Sequence, residues 1–329
     1  MSVLICGGAG YIGSHNVRAF LNHGEDVIVI DNLITGHIES LPENVKFYNG
    51  DIRDSSILDK IFQENEIEAV IHFCAFSLVG ESVEQPLKYF NNNVGGMINL
   101  LEAMQRNNIK KIVFSSSAAV YGDPEKIPIL ETDPTNPTNP YGESKRIMEK
   151  MMHWVSLQHD IRYVSLRYFN VAGAWHDGSI GEAHNHETHL VPIILQVPLG
   201  KRPKVTVYGD DYPTKDGTCI RDYVYIEDLA DAHLLALEYL RNGGESQIFN
   251  LGSGDGYSVM EMINAARKAS GQEIPLEIGK RRAGDPARLV ADSSKARKIL
   301  KWQPKVTSME EIISTAWLWH KSHPNGYSK

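Results

Sequence analysis

The stretch Gly7-Gly-Ala-Gly10-Tyr-Ile-Gly13 limits what this chain can fold into more than any other, because of what flanks it. The short β-branched run Val3 to Cys6 precedes it, and a helical pattern from Ser14 to His23 follows. Strand, glycine turn and helix are thus in order. Gly7 permits the tight turn, Gly10 lets the backbone approach a pyrophosphate, Gly13 brings helix and strand close, and the helix N-terminus offers N–H donors. A second apolar run, Asp26-Val-Ile-Val-Ile30, ends at Asp31, about 20 residues downstream, where a dinucleotide fold needs its ribose-binding carboxylate. An acid there repels a 2′-phosphate and so favours NAD over NADP. The alternative, a structural glycine turn with a helix-capping Asp, is outweighed by the agreement of all these parts.

The alternation continues. A strand is expected near Val45 to Tyr48, a helix near Ser55 to Asn65, a buried strand over Ala69-Val-Ile-His-Phe73, a helix from about Pro86 to Asn107, and a strand over Lys110 to Ser115. Such repetition implies a right-handed, doubly wound parallel sheet of the Rossmann type. Asp51 and Ile52 fall just past a strand end, where ligands dock, so they suit an adenine contact; a plain turn and cap at Asp51 fits the sequence equally well. Ser115-Ser-Ser117-Ala-Ala-Val-Tyr121-Gly122 also closes a strand at that edge, although small polar residues end strands routinely. A proline-rich loop from Asp123 to Asn139 then leads into Pro140-Tyr141-Gly-Glu-Ser-Lys145-Arg. Proline fits the first helical turn, so Tyr141 and Lys145 share one helix face. Alone, that pair reads as a packed Tyr under a solvated Lys.

Composition removes several classes. At 329 residues, with 42% hydrophobic and 22% charged residues, the chain has the balance of a soluble globular protein. A net charge of −8 argues against nucleic-acid binding. Cys6, Cys74 and Cys219 show neither metal-type pairing nor a disulfide framework, which fits a reducing cytoplasm. No run approaches the apolar length of a membrane span, and the N-terminus lacks a signal pattern, so neither export nor membrane insertion is expected.

The glycine motif, Asp31-Asn32, Gly50-Asp51, the Ser115 to Gly122 stretch and Tyr141-x-x-x-Lys145 together resemble the extended short-chain dehydrogenase/reductases. Gly80-Glu81-Ser82, Asn91-Asn-Asn-Val94, Arg167-Tyr-Phe-Asn170, Asp210-Asp-Tyr-Pro213, Asp216-Gly-Thr218, Arg221-Asp-Tyr223 and His323-Pro-Asn-Gly-Tyr327 narrow the likeness, from end to end, to the UDP-glucose 4-epimerase family. This resemblance implies an isomerase of galactose metabolism that interconverts UDP-galactose and UDP-glucose. C4 is oxidised, the 4-keto sugar turns over, and hydride returns to its other face, with tightly bound NAD regenerated in each cycle. Tyr141 is then the base, Lys145 its partner and Ser117 the hydroxyl at the reacting oxygen. A free phenol has a pKa of about 10, so bringing it to about 7 takes on the order of 4 kcal/mol, which positive charge at Lys145 and the oxidised nicotinamide is expected to supply. The family also implies cofactor contacts at Gly7, Gly10, Tyr11, Ile12, Gly13, Asp31, Asn32, Asp51, Ile52, Phe73, Cys74, Ala75, Asn92, Ser115, Tyr141, Lys145 and Tyr168. It implies a homodimer built on the Pro86 to Asn107 helix and the helix that opens at Pro140. Dehydratase relatives carry an acid just after the strand-end hydroxyl; Ala118 and Ala119 stand there here, which disfavours that reaction and decarboxylation.

Beyond Asn170 the alternation breaks down into a polar loop, a helix near Leu190 to Leu199 and short strands around Val205 and Cys219. The chain returns to the sheet through a helix over Ile226 to Leu240 and a strand over Ile248 to Leu251. Residues 1–169 with 224–251 are therefore expected to form the NAD-binding domain, and residues 170–223 with 252–329 an interleaved nucleotide-sugar domain. Arg221 and Arg282, near Lys280 and Arg281, suit bidentate phosphate contact. The resemblance makes them the diphosphate clamp, with Asn170 nearby, Asp285 on the uridine ribose, Tyr208 on uracil, and Ser117, Tyr141, His189, Leu190, Tyr223 and Leu289 around the substrate. His184-Asn-His186-Glu187-Thr-His189 is not a His-Glu-x-x-His helix motif, so no metal is expected. Ser77, where relatives carry a Lys, and His189, where Asn is common, depart from the pattern. Leu289 is intermediate in size where bulkier or smaller residues exclude or admit an N-acetyl group. Two competitors stand beside this reading: an epimerase of UDP-glucuronate, and a catalytically silent NAD-binding module.

Overall fold

The computed structural model describes residues 1–282 and 285–327. Strands β1 (Ser2–Cys6), β2 (Val27–Asp31), β3 (Lys46–Asn49), β4 (Ile67–His72), β5 (Lys111–Ser115) and β6 (Arg162–Tyr168) form the first half. β7 (Asn170–Ala172), β8 (Val205–Tyr208), β9 (Ile220–Arg221), β10 (Tyr223–Tyr225) and β11 (Gln247–Leu251) follow. The main sheet has seven strands in the order β11-β6-β5-β4-β1-β2-β3, all parallel. Strand order reverses between β1 and β4, and a ligand crevice opens at that point beyond the carboxyl ends.

Strand alternation decides the two faces. Val3 and Ile5 of β1 enter one apolar cluster with Val17 and Phe20 of α1 (Tyr11–Asn22), and Leu4 and Cys6 enter another. The second cluster takes Leu58 and Ile61 from α2 (Ser55–Glu64). The expected single helix from Pro86 to Asn107 is instead three joined pieces. Past α3 (Val79–Glu84) come α4 (Pro86–Tyr89), a π-helical turn over Phe90–Gly95, and α5 (Gly96–Arg106). The wider turn carries Asn93 into the interior, where its amide meets the backbone of Phe76 at 2.9 and 3.1 Å.

Helix α6 (Pro140–His159) starts as its sequence requires: the Asn139 side chain accepts a hydrogen bond from Gly142 N, and Pro140 occupies the first turn. The helix expected to reach Leu199 ends earlier, as α7 (Leu190–Leu195), because turns lead to Pro198 and to Gly200 at φ +72°. α8 (Ile226–Arg241) packs in the first cluster and hands the chain to β11. A third cluster gathers Val191, Ile194, Val205, Val207, Ile263 and Ile313, with Tyr223 and Tyr225 of β10. No helix among the described residues is long and apolar enough to cross a membrane.

Candidate active site

The glycine turn has the shape a dinucleotide needs. Gly7 lies at φ +81°, and a Cβ there would come within 2.8 Å of Cys74 N, while one on Gly13 would meet Gly7 O at 2.0 Å. Both are therefore needed for packing. At Gly10 the nearest atom to such a Cβ is 3.5 Å away, so its smallness serves whatever lies outside the protein. Gly10 is also the N-cap of α1, no side chain caps that end, and no acid sits in the first turn, which leaves N–H donors for an anion. A narrow cleft lies here, lined by Gly10, Tyr11, Ser14, His37, Ala183 and His184 among others. The residues present therefore fit a bound dinucleotide.

Asp31 stands at the end of β2, and its carboxylate accepts hydrogen bonds from Ala9 N at 3.0 Å and Leu33 N at 2.8 Å. Burial raises its pKa against those two donors. Each oxygen still has a free lone pair, so Asp31 both shapes the glycine turn and can receive a ribose hydroxyl. Asp51 is already engaged. Arg53 holds both its oxygens, at 2.9 and 2.7 Å, Asn32 donates at 2.9 Å, and the Arg53 bonds keep its carboxyl at about 2. The Ile52 side chain is buried against Gly96, leaving its backbone for any adenine contact. The Tyr11 hydroxyl is tied to Gly173 O at 2.7 Å, and Ile12 joins two core clusters. Phe73, Cys74 and Ala75 follow β4 at the carboxyl edge, Phe73 lying 4.8 Å from the His233 ring. Ser115 and Tyr168, both expected at the cofactor, are hydrogen-bonded to each other.

Ser117 ends the stretch after β5, and its oxygen accepts from Ala119 N at 3.1 Å, turning the chain through Ala118–Val120. Tyr141 and Lys145 project from α6 towards it. The Lys145 ammonium donates to Ser115 O at 2.7 Å and lies 5.9 Å from the centre of the Tyr141 ring. Burial brings Lys145 down to about 7, against the opposing influence of Cys74 and Glu149. Burial pushes the Tyr141 phenol up, and hydrogen bonding with the Ser117 side chain opposes it. This differs from the expectation that Lys145 draws the phenol down. Both groups share one desolvated pocket, which penalises the charged form of each.

Sequence reasoning missed the support behind this pair. Glu149, one further turn along α6, makes a bidentate pair with Arg167 of β6 at 2.9 and 2.6 Å, both side chains at most 5% exposed. Arg167 also donates to Tyr121 OH at 2.8 Å, and that hydroxyl donates to Asn250 at 2.6 Å. Ser116 donates to Glu149 at 2.6 Å. The four-residue spacing of Tyr141, Lys145 and Glu149 was a visible signal. Asn93 was hidden in an Asn run; Asn92 donates to it at 3.0 Å, and Asn93 donates to Ser144 at 2.9 Å, bracing the start of α6.

The expected sugar-nucleotide residues are brought to one side, but two of them meet each other. Arg221 of β9 pairs with Asp285, while Arg282 lies 4.2 Å over the Tyr208 ring. Asn170 donates to Asp222 O at 3.1 Å, and the Tyr223 ring is buried. Leu289, opposite Arg221 in register, packs with Ala118, Tyr121, Ile129 and Phe169 beside Ser117. Leu190 begins α7, and Ser77 is exposed. His189 sits with His184, Glu182 and Glu187 instead of standing free. Burial lowers both imidazoles, but the two carboxylates overcome it and hold His184 at about 9 and His189 at about 10.

The NAD dependent epimerase/dehydratase family matches residues 3–252. A UDP-glucose 4-epimerase of Lacticaseibacillus casei is 59% identical over 327 residues, 99% of each chain. A crystal structure of a UDP-glucose 4-epimerase, 54% identical, superposes over 100% of both chains with a TM-score of 0.99. The Bifidobacterium longum UDP-glucose 4-epimerase, solved with NAD⁺ and UDP, is 41% identical and covers 99% of this chain and 100% of its own, with a TM-score of 0.93. By both sequence and structure, the chain belongs to the NAD dependent epimerase/dehydratase family, within its UDP-glucose 4-epimerase branch.

Proposed function

We infer that this chain interconverts UDP-galactose and UDP-glucose with NAD held at the glycine turn. The observation that carries the reading is the meeting of Ser117, Tyr141 and Lys145 at the carboxyl edge of the same sheet that carries the glycine turn and the uncapped start of α1. Bound there, NAD supplies a reversible hydride acceptor. Tyr141 takes the proton of the sugar 4-hydroxyl and returns it after the 4-keto sugar has turned over, while Ser117 orients the reacting oxygen. Lys145, fixed by Ser115 O, presents its charge beneath the Tyr141 ring. Arg221 and Arg282 hold the diphosphate, Asp285 the ribose, and Tyr208 stacks on uracil.

Residues 1–169 with 224–251 serve the cofactor, and residues 170–223 with 252–329 the nucleotide sugar. A silent module has no need of all three active-site groups, and the relatives this chain resembles are UDP-glucose 4-epimerases, which favours glucose over glucuronate. The medium-sized Leu289 leaves N-acetyl sugars within range. Val83, Leu87, Ile98, Trp154 and Leu157 are exposed on α3 to α6, an apolar face suited to a second copy of the chain. The acidic balance and three free thiols suit the cytoplasm.

The test incubates purified protein with UDP-galactose, adds no NAD, and follows UDP-glucose. Product is expected, from a protein that sediments as a dimer. Folded protein that carries no cofactor and forms no product overturns the reading of tightly held NAD.

A further inference from the structure

The loop between Gly181 and α7 carries a cluster that the reaction does not use. Glu182, His184, Glu187 and His189 each offer one ligand atom, and these atoms all lie within 4.8 Å of one another. His189 Nδ1 is 2.9 Å from an oxygen of Glu182 and 2.9 Å from one of Glu187. His184 Nδ1 is 3.1 Å from Glu182 and 3.4 Å from Glu187. That nitrogen is buried and has no hydrogen-bond partner, because neither carboxylate meets it at a hydrogen-bonding angle.

Four atoms bound tetrahedrally at 2.0–2.1 Å stand about 3.3 Å apart, close to the four separations between imidazole and carboxylate here, so an ion would be seated by drawing in the wider separations, which reach at most 4.8 Å. Glu182, whose side chain is 5% exposed, and Glu187, at 9%, bring two negative charges together with little water to separate them. The two imidazoles that neutralise them in the free protein would give up their protons to a divalent cation, so the group is electrically neutral with or without the ion. We propose that Glu182, His184, Glu187 and His189 bind one divalent ion of the zinc class. Two nitrogens and two oxygens in a compact set of four suit zinc, whereas magnesium and calcium require six or more oxygens, waters included.

Four protein ligands would leave a zinc ion no open position, so the ion's role is structural. Its place gives it a task. His184 lines the dinucleotide cleft with its ring 6.3 Å from that of Tyr11, and His189 caps α7. Metal bound here fastens a loop without regular structure to the wall of the cleft.

The test uses the full chain, stripped with a chelator, incubated with Zn²⁺ alone and desalted. One zinc per chain is expected by mass spectrometry, and Co²⁺ in its place should give the intense visible bands of a tetrahedral ion. His184→Ala and Glu187→Gln should each lose most of the retained metal, whereas His186→Ala, an exposed neighbour, should keep it. Failure of the unmodified chain to retain zinc overturns the proposal, as does a six-coordinate cobalt spectrum. Metal retained equally by all three variants overturns it too.

Discussion

Two groups of buried charge flank the candidate active site, and they are built differently. Glu149 and Arg167 come from a helix and a neighbouring strand, pair bidentately, and are bonded further to Ser116 and Tyr121. Glu182, Glu187, His184 and His189 come from eight consecutive residues of a loop, and no regular element fixes their distances. The first group locks two layers of the fold behind Lys145. In the second, carboxylates and imidazoles bring their ligand atoms within 4.8 Å of one another with no strand or helix to hold them there. A helix and a strand thus fix the first group, whereas the second depends on how a loop packs.

The largest effect expected is on the regular side. Lys145→Met should fold yet lose turnover by about 10²–10⁴-fold near neutrality, with activity recovering as pH rises and Tyr141 ionises unaided. An unchanged pH–rate profile would remove Lys145 from that role. The same variant carries a stability signature. Lys145 is held at about 7 in the folded chain, below the usual lysine value of about 10.4, so the unfolded chain binds more protons between those limits. Its burial therefore costs stability fully below about pH 7, and the cost disappears as pH rises towards 10. Denaturant titrations should show Lys145→Met most favoured over the parent at low pH, with the gap closing on the alkaline side.

Next in size is Arg167→Met, which strands the Glu149 carboxylate in the interior and should cost about 3–5 kcal/mol in urea unfolding. A loss under 1 kcal/mol would mean that the two groups of charge are less different than their burial implies. The smallest effect is expected at the proposed sugar-binding side. Leu289→Tyr should leave UDP-galactose turnover nearly intact and suppress UDP-N-acetylgalactosamine turnover by roughly tenfold, a change worth about 1.4 kcal/mol. Equal activity of both proteins on both sugars would take Leu289 out of substrate choice.

What could be read from the sequence was whatever local spacing encodes. Gly7, Gly10 and Gly13 are placed by one turn, Asp31 by the length of one strand–helix–strand unit, and Tyr141 and Lys145 by the helical repeat. Their partners across the fold were not legible. Glu149 showed its spacing but not that Arg167 would reach it from β6. The triple Asn91-Asn-Asn93 did not say which amide turns inward, since a π-helical turn shifts the phase of everything after it. Asp285 looked free for a ribose and is found on Arg221.

The loop from Glu182 to His189 is the clearest limit. Helical spacing gave no reason to expect its histidines and carboxylates within 4.8 Å of one another, because that rule assumes a period, and a loop has none. The sequence by itself determined the parallel sheet, the dinucleotide turn and the Tyr–Lys face, since each follows from a repeat of the backbone. Only the tertiary structure decided which charges meet, because distances between residues on different elements, or within an irregular loop, are set by packing against the rest of the chain.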